Sequence, residues 1–328
     1  MEEAKTISSY LELIKVYLKI KFFELKIVVV CQKNDFYLAK LCIASIRYFD
    51  DTVPIYLVKD FSNGQFSTDR IEKYFNVTTL NLDIKFFGWG VAKIYVLISG
   101  KFNAGEKLLI LDADVIFAGD VLKTLSDDNS DFIVSAEYSN DPNNKWFEKT
   151  YFDVNAMSNY NFPGYSFNTG HFVATVGKLC EEDFEPYISF KKTPYWNQKY
   201  RSLFPTADQS LFNLIVHQKE AAADITVGKK EFMVWPLSER AKEVNLKGLL
   251  NNKYNFVLHW AGCKRTSALA YMSHSDILFF FKKEYYKRVP YGILLFKIDN
   301  YYQTIKYKMV FFRGTIKKYL TKIPNKKT

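Results

Sequence analysis

Short apolar runs of strand length alternate with helical patterns along this chain, and that alternation limits its possible folds more than any other feature. Leu25-Lys26-Ile27-Val28-Val29-Val30 is a β-branched run followed by the polar stretch Cys31-Gln32-Lys33-Asn34-Asp35. A helix is predicted from about Phe36 to Phe49, then a second strand at Pro54-Ile55-Tyr56-Leu57-Val58. Strand, loop, helix and strand in that order imply parallel strands joined by crossovers, hence an α/β sheet. Helices near Thr68 to Phe75 and Val91 to Gly100 continue the pattern, as do strands at Lys107 to Leu111, Phe132 to Ala136, Phe172 to Thr175 and Tyr254 to Trp260. A helix is expected over Asp208 to Gln218, and a long polar, aromatic insertion over Asn140 to Pro163. Residues 5–24 read as an amphipathic helix, with Leu11, Ile14, Leu18 and Phe22 spaced by three or four. The expected organisation is an N-terminal helix over 1–24, a main domain over 25–270 and an extension over 271–328.

Charge separates the extension from the rest. From Asp276 onward there are 13 Lys and Arg against 3 Asp and Glu, which accounts for the whole net charge of +10. Such asymmetry implies two parts with different tasks. Cys31, Cys42, Cys180 and Cys263 show neither CxxC spacing nor a paired framework, so free thiols in a reducing compartment are expected. No run approaches the roughly 18 uncharged apolar residues of a membrane span. The first residues lack the pattern of a secretory signal. A cytoplasmic protein is the expectation.

Leu108-Leu109-Ile110-Leu111 runs directly into Asp112-Ala113-Asp114. Ligands of open α/β sheets bind beyond the carboxyl ends of the strands, where this pair would sit. Two carboxylates one residue apart can converge on a hard divalent cation, which in turn can hold a diphosphate. One Asp-x-Asp is expected by chance in a chain of this length, and a plainer reading makes the two a helix cap and a turn residue.

Further segments give the pair its meaning. Val28-Val29-Val30 with its loop and Ala44-Ser45-Ile46; Leu109-Ile110-Leu111-Asp112-Ala113-Asp114; Phe167-Asn168-Thr169-Gly170; Ala207-Asp208-Gln209 before Leu211-Phe212-Asn213; and His259-Trp260-Ala261-Gly262 follow in order. Over residues 25 to 265 the chain resembles the retaining glycosyltransferases of family 8, which include glycogenin and bacterial lipopolysaccharide galactosyltransferases. That resemblance implies a GT-A fold: a mixed, mostly parallel sheet with flanking helices, here with a basic helical C-terminal extension. It also implies a metal held by Asp112, Asp114 and His259. Neutral imidazole suits manganese, so Mn²⁺ is expected, with Mg²⁺ as the alternative. His171, His217 and His274 lack such support and are expected to be structural or surface groups.

By the same resemblance, Asn168, Thr169 and Gly170 lie beside the bound sugar, Asp208 binds sugar hydroxyls, and Gln209 lies near the anomeric carbon. A strand-entry turn and a helix cap are the plainer readings of these two segments. The donor is expected to be a nucleotide-sugar, a UDP-hexose by resemblance, with Cys31, Asn34, Asp112, Ala113 and Gly262 among its contacts. Lys93 occupies a region where the family carries arginine. Lys264 and Arg265 fall near the family's lysine before Pro-Trp, but here the basic residues come early and Pro-Trp is absent. The cation that clamps the diphosphate therefore stays open among Lys93, Lys264 and Arg265.

The extension interleaves rings and cations: Phe279-Phe280-Phe281-Lys282-Lys283, Ile305-Lys306-Tyr307-Lys308 and Phe311-Phe312-Arg313. Basic amphipathic segments bind anionic lipid, so peripheral attachment to the inner face of the cell membrane is expected, with a glycan or glycolipid acceptor. Single-stranded nucleic acid is the competing partner. Three rival functions remain. A haloacid-dehalogenase-type phosphatase would carry Thr after Asp114, where Val115 stands, and would place the motif nearer the start. A nucleotidyltransferase would need a Gly-rich triphosphate loop at the first strand, which is missing. A decayed sugar- or lipid-binding protein would not be expected to keep Asp112, Asp114, Gln209 and His259.

Overall fold

Seven strands form the main sheet: β1 (Lys26–Gln32), β2 (Ile55–Asp60), β3 (Val77–Leu80), β4 (Lys107–Asp112), β6 (Phe132–Tyr138), β7 (Tyr165–Thr175) and β8 (Val227–Lys229), in the order β3-β2-β1-β4-β7-β6-β8. The first four run parallel, β7 is antiparallel to both β4 and β6, and β8 is parallel to β6. This computed structural model describes residues 25–82, 88, 90–141, 147–148, 160, 162–190 and 196–320, with side chains to residue 312. The helix expected over 1–24 and most of the insertion expected over 140–163 lie outside the described residues. The expected α/β architecture is present: a mostly parallel sheet, flanking helices and a helical C-terminal extension.

Alternation along the strands builds two cores. Ile27, Val29, Leu109 and Leu111 face one side, where α1 (Phe36–Phe49) and α2 (Asp69–Phe75) pack. Val28, Leu108 and Ile110 face the other, against α3 (Val91–Ile98) and α4 (Asp208–Ala221). Both faces are buried, as a helix-covered parallel sheet requires.

The chief departure from the sequence reading is β7. The expected strand over Phe172 to Thr175 is eleven residues long and begins at Tyr165, so Asn168-Thr169-Gly170 lies inside a strand and not at its entry. The polar triplet interrupts the apolar run, which hides the strand in the sequence. Pairing with β4 ends at Leu111 opposite His171, so residues 165–170 of β7 overhang the carboxyl end of β4. The expected loop at Cys31 also differs, because β1 continues through Gln32 before a single 3₁₀ turn, Lys33–Asp35.

A second, three-stranded sheet completes the site: β5 (Val115–Phe117), β10 (Val257–His259) and β9 (Met233–Val234), in the order β5-β10-β9. It sets His259 opposite Val115, and Trp260 N donates to Asp114 O at 3.2 Å. Ser45 of α1 fixes this sheet to the body, accepting from Phe117 N at 3.0 Å.

The extension has two helices. In α5 (Ser275–Lys287), Ile277, Leu278, Phe281 and Tyr285 join the core beside α1, with Phe279 and Phe280 half-buried against it. Helix α6 (Gly292–Leu320) docks through Phe296, Asp299, Gln303 and Tyr307, one face at spacings of three and four. Asp299 pairs with Lys282 at 2.6 Å, Ser267 donates to Gln303, and Tyr307 stacks on Tyr271 at 4.0 Å. The other face leaves Leu294, Ile298, Tyr301, Ile305 and Phe312 exposed, Tyr301 by 73%. Among the described residues no helix is long and apolar enough to cross a membrane.

One buried amide sets α4 against β7. Asn213 accepts from Phe167 N at 2.9 Å and donates to Phe167 O at 2.8 Å and to Gln209 O at 2.7 Å. The Asn213→Leu variant orphans both polar groups of Phe167. A loss of about 3 kcal/mol in urea-unfolding stability is expected, since each buried unpaired group costs about 1–3 kcal/mol.

Candidate active site

At the carboxyl end of β4 four polypeptide segments meet. The Asp112-Ala113-Asp114 turn leads into β5, so a strand follows the pair and not the helix that a capping role would need. β10 delivers His259 to this turn. The overhang of β7 delivers Asn168, Thr169 and Gly170, and the start of α4 delivers Asp208 and Gln209.

The carboxylates divide their oxygens between two kinds of partner. Lys93 Nζ lies 2.8 Å from Asp112 Oδ1, and Arg265 Nη1 lies 2.8 Å from Asp114 Oδ2. The remaining oxygens turn toward the imidazole: His259 Nε2 is 3.3 Å from Asp114 Oδ1 and 3.9 Å from Asp112 Oδ2. One ligand atom from each of Asp112, Asp114 and His259 lies within 4.8 Å of the others. Among the described residues neither imidazole nitrogen, though buried, has a hydrogen-bond partner. Two carboxylate oxygens and an unengaged ring nitrogen converging in a buried space fit a single divalent cation with mixed O and N ligands.

Electrostatics distinguishes the two acids. Burial pushes Asp112 up, and Asp114 adds to this, while Lys93 pulls it back only in part. Burial also acts on Asp114, but His259 and Arg265 outweigh it and hold that carboxyl at about 2. Burial pulls the Lys93 ammonium down, yet Asp112 and Asp208 together hold it above its ordinary value. Three carboxylates (Asp112, Asp114, Asp208) face two cations (Lys93, Arg265), which with all five ionised and His259 neutral, as a metal ligand must be, sums to one negative charge.

Asp208 is the first residue of α4 and makes no cap. Its Oδ2 lies 3.1 Å from Lys93 Nζ and accepts from Thr169 Oγ1 at 2.9 Å. Gln209 Oε1 accepts from Asn168 Nδ2 at 2.5 Å and from Thr169 N at 3.3 Å. Ala207, immediately before, adopts φ +50°, ψ −114°, a conformation alanine rarely takes. Strain of this sort concentrates at functional positions. Two glycines make room. A Cβ on Gly170 would lie 2.1 Å from His259 Cε1, and one on Gly90, at φ +74°, would lie 2.0 Å from Asp208 Cγ.

The other sequence candidates scatter. Cys31 is buried, with Sγ donating to Gln32 O at 3.2 Å. Burial pushes its thiol up, well above the ordinary value. Asn34 is exposed, Ala113 buried, and Gly262 exposed at φ +71°. Lys264 turns outward to donate to Tyr307 of α6, so of the two adjacent cations only Arg265 enters the cluster. His217 contacts Tyr160 at 2.8 Å and His274 contacts Pro236 O at 3.0 Å, as structural groups. His171, also expected to be structural, is fully buried in an edge-to-face contact with His259. Trp235 stacks on His259 and was not singled out by sequence, because it follows a two-residue strand without periodicity.

No family model matches the chain, and no curated protein does. Solved structures of glycosyltransferases are similar to it. The bifunctional glycosyltransferase WbbM, in its apo form, shares 14% identity over 83% of this chain and 51% of that one, with a TM-score of 0.48; this chain spans about half its length. The galactosyltransferase LgtC, solved with donor and acceptor sugar analogues, shares 18% over 81% of this chain and 97% of that one, with a TM-score of 0.48. The glycosyltransferase GlyE of Streptococcus pneumoniae TIGR4 shares 13% over 78% and 60%, with a TM-score of 0.46. Identities and superpositions at this level assign no reaction.

Lys93 is 5% exposed and compensates two acids at once. The Lys93→Met variant is expected to lose about 3 kcal/mol of stability, the lower end for a broken buried pair because Asp112 keeps some solvent. Added Mn²⁺ is expected to recover part of the lost melting temperature, a difference that thermal denaturation with and without the ion measures.

Proposed function

We propose that the protein is a metal-dependent glycosyltransferase of GT-A fold, which moves a hexose from a UDP-sugar to a glycan or glycolipid acceptor with retention of configuration. The observation that carries this reading is the convergence of Asp112, Asp114 and His259 within 4.8 Å. Asp112, Asp114 and His259 would hold Mn²⁺ or Mg²⁺, which would supply positive charge against the negative charge developing on a departing nucleoside diphosphate. With its two charges the cluster changes from one net negative to one net positive, which suits a diphosphate.

The chain's own groups divide the remaining work. Arg265, whose side chain is 41% exposed, is the cation able to exchange Asp114 for a phosphate oxygen. Lys93 is enclosed between two acids and holds Asp112 and Asp208 in place. Asn168, Thr169 and Asp208 offer donors and acceptors to sugar hydroxyls. Asp208 is already engaged by Lys93 and Thr169, which makes it a poor nucleophile. The oxygen of Gln209 is bound to Asn168 and to Thr169 N, so its amide nitrogen is the group able to donate to a sugar or phosphate oxygen beside the anomeric carbon. In the front-side displacement this arrangement favours, the acceptor oxygen bonds to the anomeric carbon as the bond to the diphosphate oxygen breaks. The acceptor proton passes to that phosphate oxygen. Trapping a glycosyl adduct on Asp208 or Gln209 would contradict this course.

Attachment to an anionic membrane surface belongs to the same reading, with the outward face of α6 as the contact. Truncation at Ser275 cannot test it cleanly, because Ile277, Leu278 and Phe281 are core residues. The full chain carrying Ile298→Glu, Tyr301→Ser and Phe312→Glu is expected to lose flotation with phosphatidylserine vesicles while keeping its melting temperature. Catalysis is tested by a panel of nucleotide-sugars assayed for Mn²⁺-dependent hydrolysis. One donor is expected to be turned over, and Asp114→Asn to lower that rate by roughly 10²-fold or more. Equal rates for Asp114→Asn and wild type would sink the reading.

A further inference from the structure

His259 lacks the polar partner that usually orients a ligand imidazole. A ligating histidine normally donates its second ring N–H to a carboxylate or carbonyl, yet among the described residues neither nitrogen of His259 has a hydrogen-bond partner. Its plane must be set by packing. Among the described residues two rings touch it: Trp235 stacks at 5.4 Å with 22° between planes, and His171 meets it at 5.4 Å and 75°. A stacked face restricts rotation of the imidazole plane, whereas an edge contact permits it.

Strand register explains the stack. β9 and β10 are parallel with Val234 opposite Leu258, so Trp235 and His259 leave the small sheet side by side. The tryptophan backbone is fixed in turn. Ser238 N and Oγ donate to Trp235 O at 3.0 and 2.8 Å, and the next carbonyl, Pro236 O, contacts His274 Nε2 at 3.0 Å. On the remaining side, the missing side chain of Gly170 leaves room for the ring and nothing more.

We propose that Trp235 is a positioning residue: its indole face replaces the missing hydrogen bond and aims His259 Nε2 at the oxygens of Asp112 and Asp114. The proposal rests on the metal reading above. It predicts that a flat ring at position 235 matters and that apolar bulk alone does not suffice.

Mn²⁺ is titrated into the full-length protein, with the signal of free Mn²⁺ followed by electron paramagnetic resonance. Trp235→Leu is expected to weaken binding about tenfold, the lower range for lost ligand support, while Trp235→Phe stays within about threefold of wild type. Tryptophan emission gives an independent readout, because bound Mn²⁺ quenches a nearby indole. The Mn²⁺-dependent quench of wild type is expected to shrink in Trp235→Phe, with a remainder from Trp260 beside His259, even if Trp235→Leu does not fold. Wild-type affinity in Trp235→Leu, or equal weakening in both variants, would overturn the proposal. So would an undiminished quench in Trp235→Phe. His259→Ala separates the two levels of the argument: if it binds Mn²⁺ as wild type does, the metal reading itself fails.

Discussion

The site depends on the division of four carboxylate oxygens between opposing partners. Asp112 and Asp114 each give one oxygen to a fixed cation and one to the space beside His259. Without Lys93 and Arg265, two acids this close and this buried would repel each other and resist ionisation. Without the inward oxygens, the cluster would be a closed set of ion pairs with nothing to offer a ligand. The surplus negative charge is what makes it receptive to a cation.

Each surrounding element can be understood by what it does for that division. β4 ends where the first acid is needed, and the small sheet folds His259 back over the second. The antiparallel β7 places polar residues above the acids because it outruns its partner. Asn213 locks α4 to that overhang, so Asp208 meets Lys93 and Gln209 meets Asn168. Side chains from five elements, one turn and one loop then share a network in which most polar atoms are taken.

Much of this was legible in the sequence, for identifiable reasons. β4 and its acids could be read because a buried parallel strand leaves an unbroken apolar run, and α1 because its periodicity is intact over fourteen residues. The length of β7 was hidden, since Asn168, Thr169 and Gly170 face a site and break the pattern that marks a strand. Trp235 was hidden because its neighbour is set by register between short strands, which leaves no trace in composition. Lys264 and Arg265 look equivalent as adjacent letters, yet one joins α6 and the other joins Asp114. The aromatic run at Phe279 to Phe281 read as a lipid-facing surface, but Phe281 belongs to the core, and the exposed rings lie further along, on α6.

Lys93, Asp112 and Asp208 come from a helix, a strand end and a second helix, and the one cation neutralises charge on both acids. Replacing Lys93 by a neutral residue leaves two like charges side by side, so a change there meets a barrier that surface changes do not. Exchange of Lys93 is tolerable only when an acid alters in step. Across diverging copies of this gene, its codon would then drift together with that of an acid.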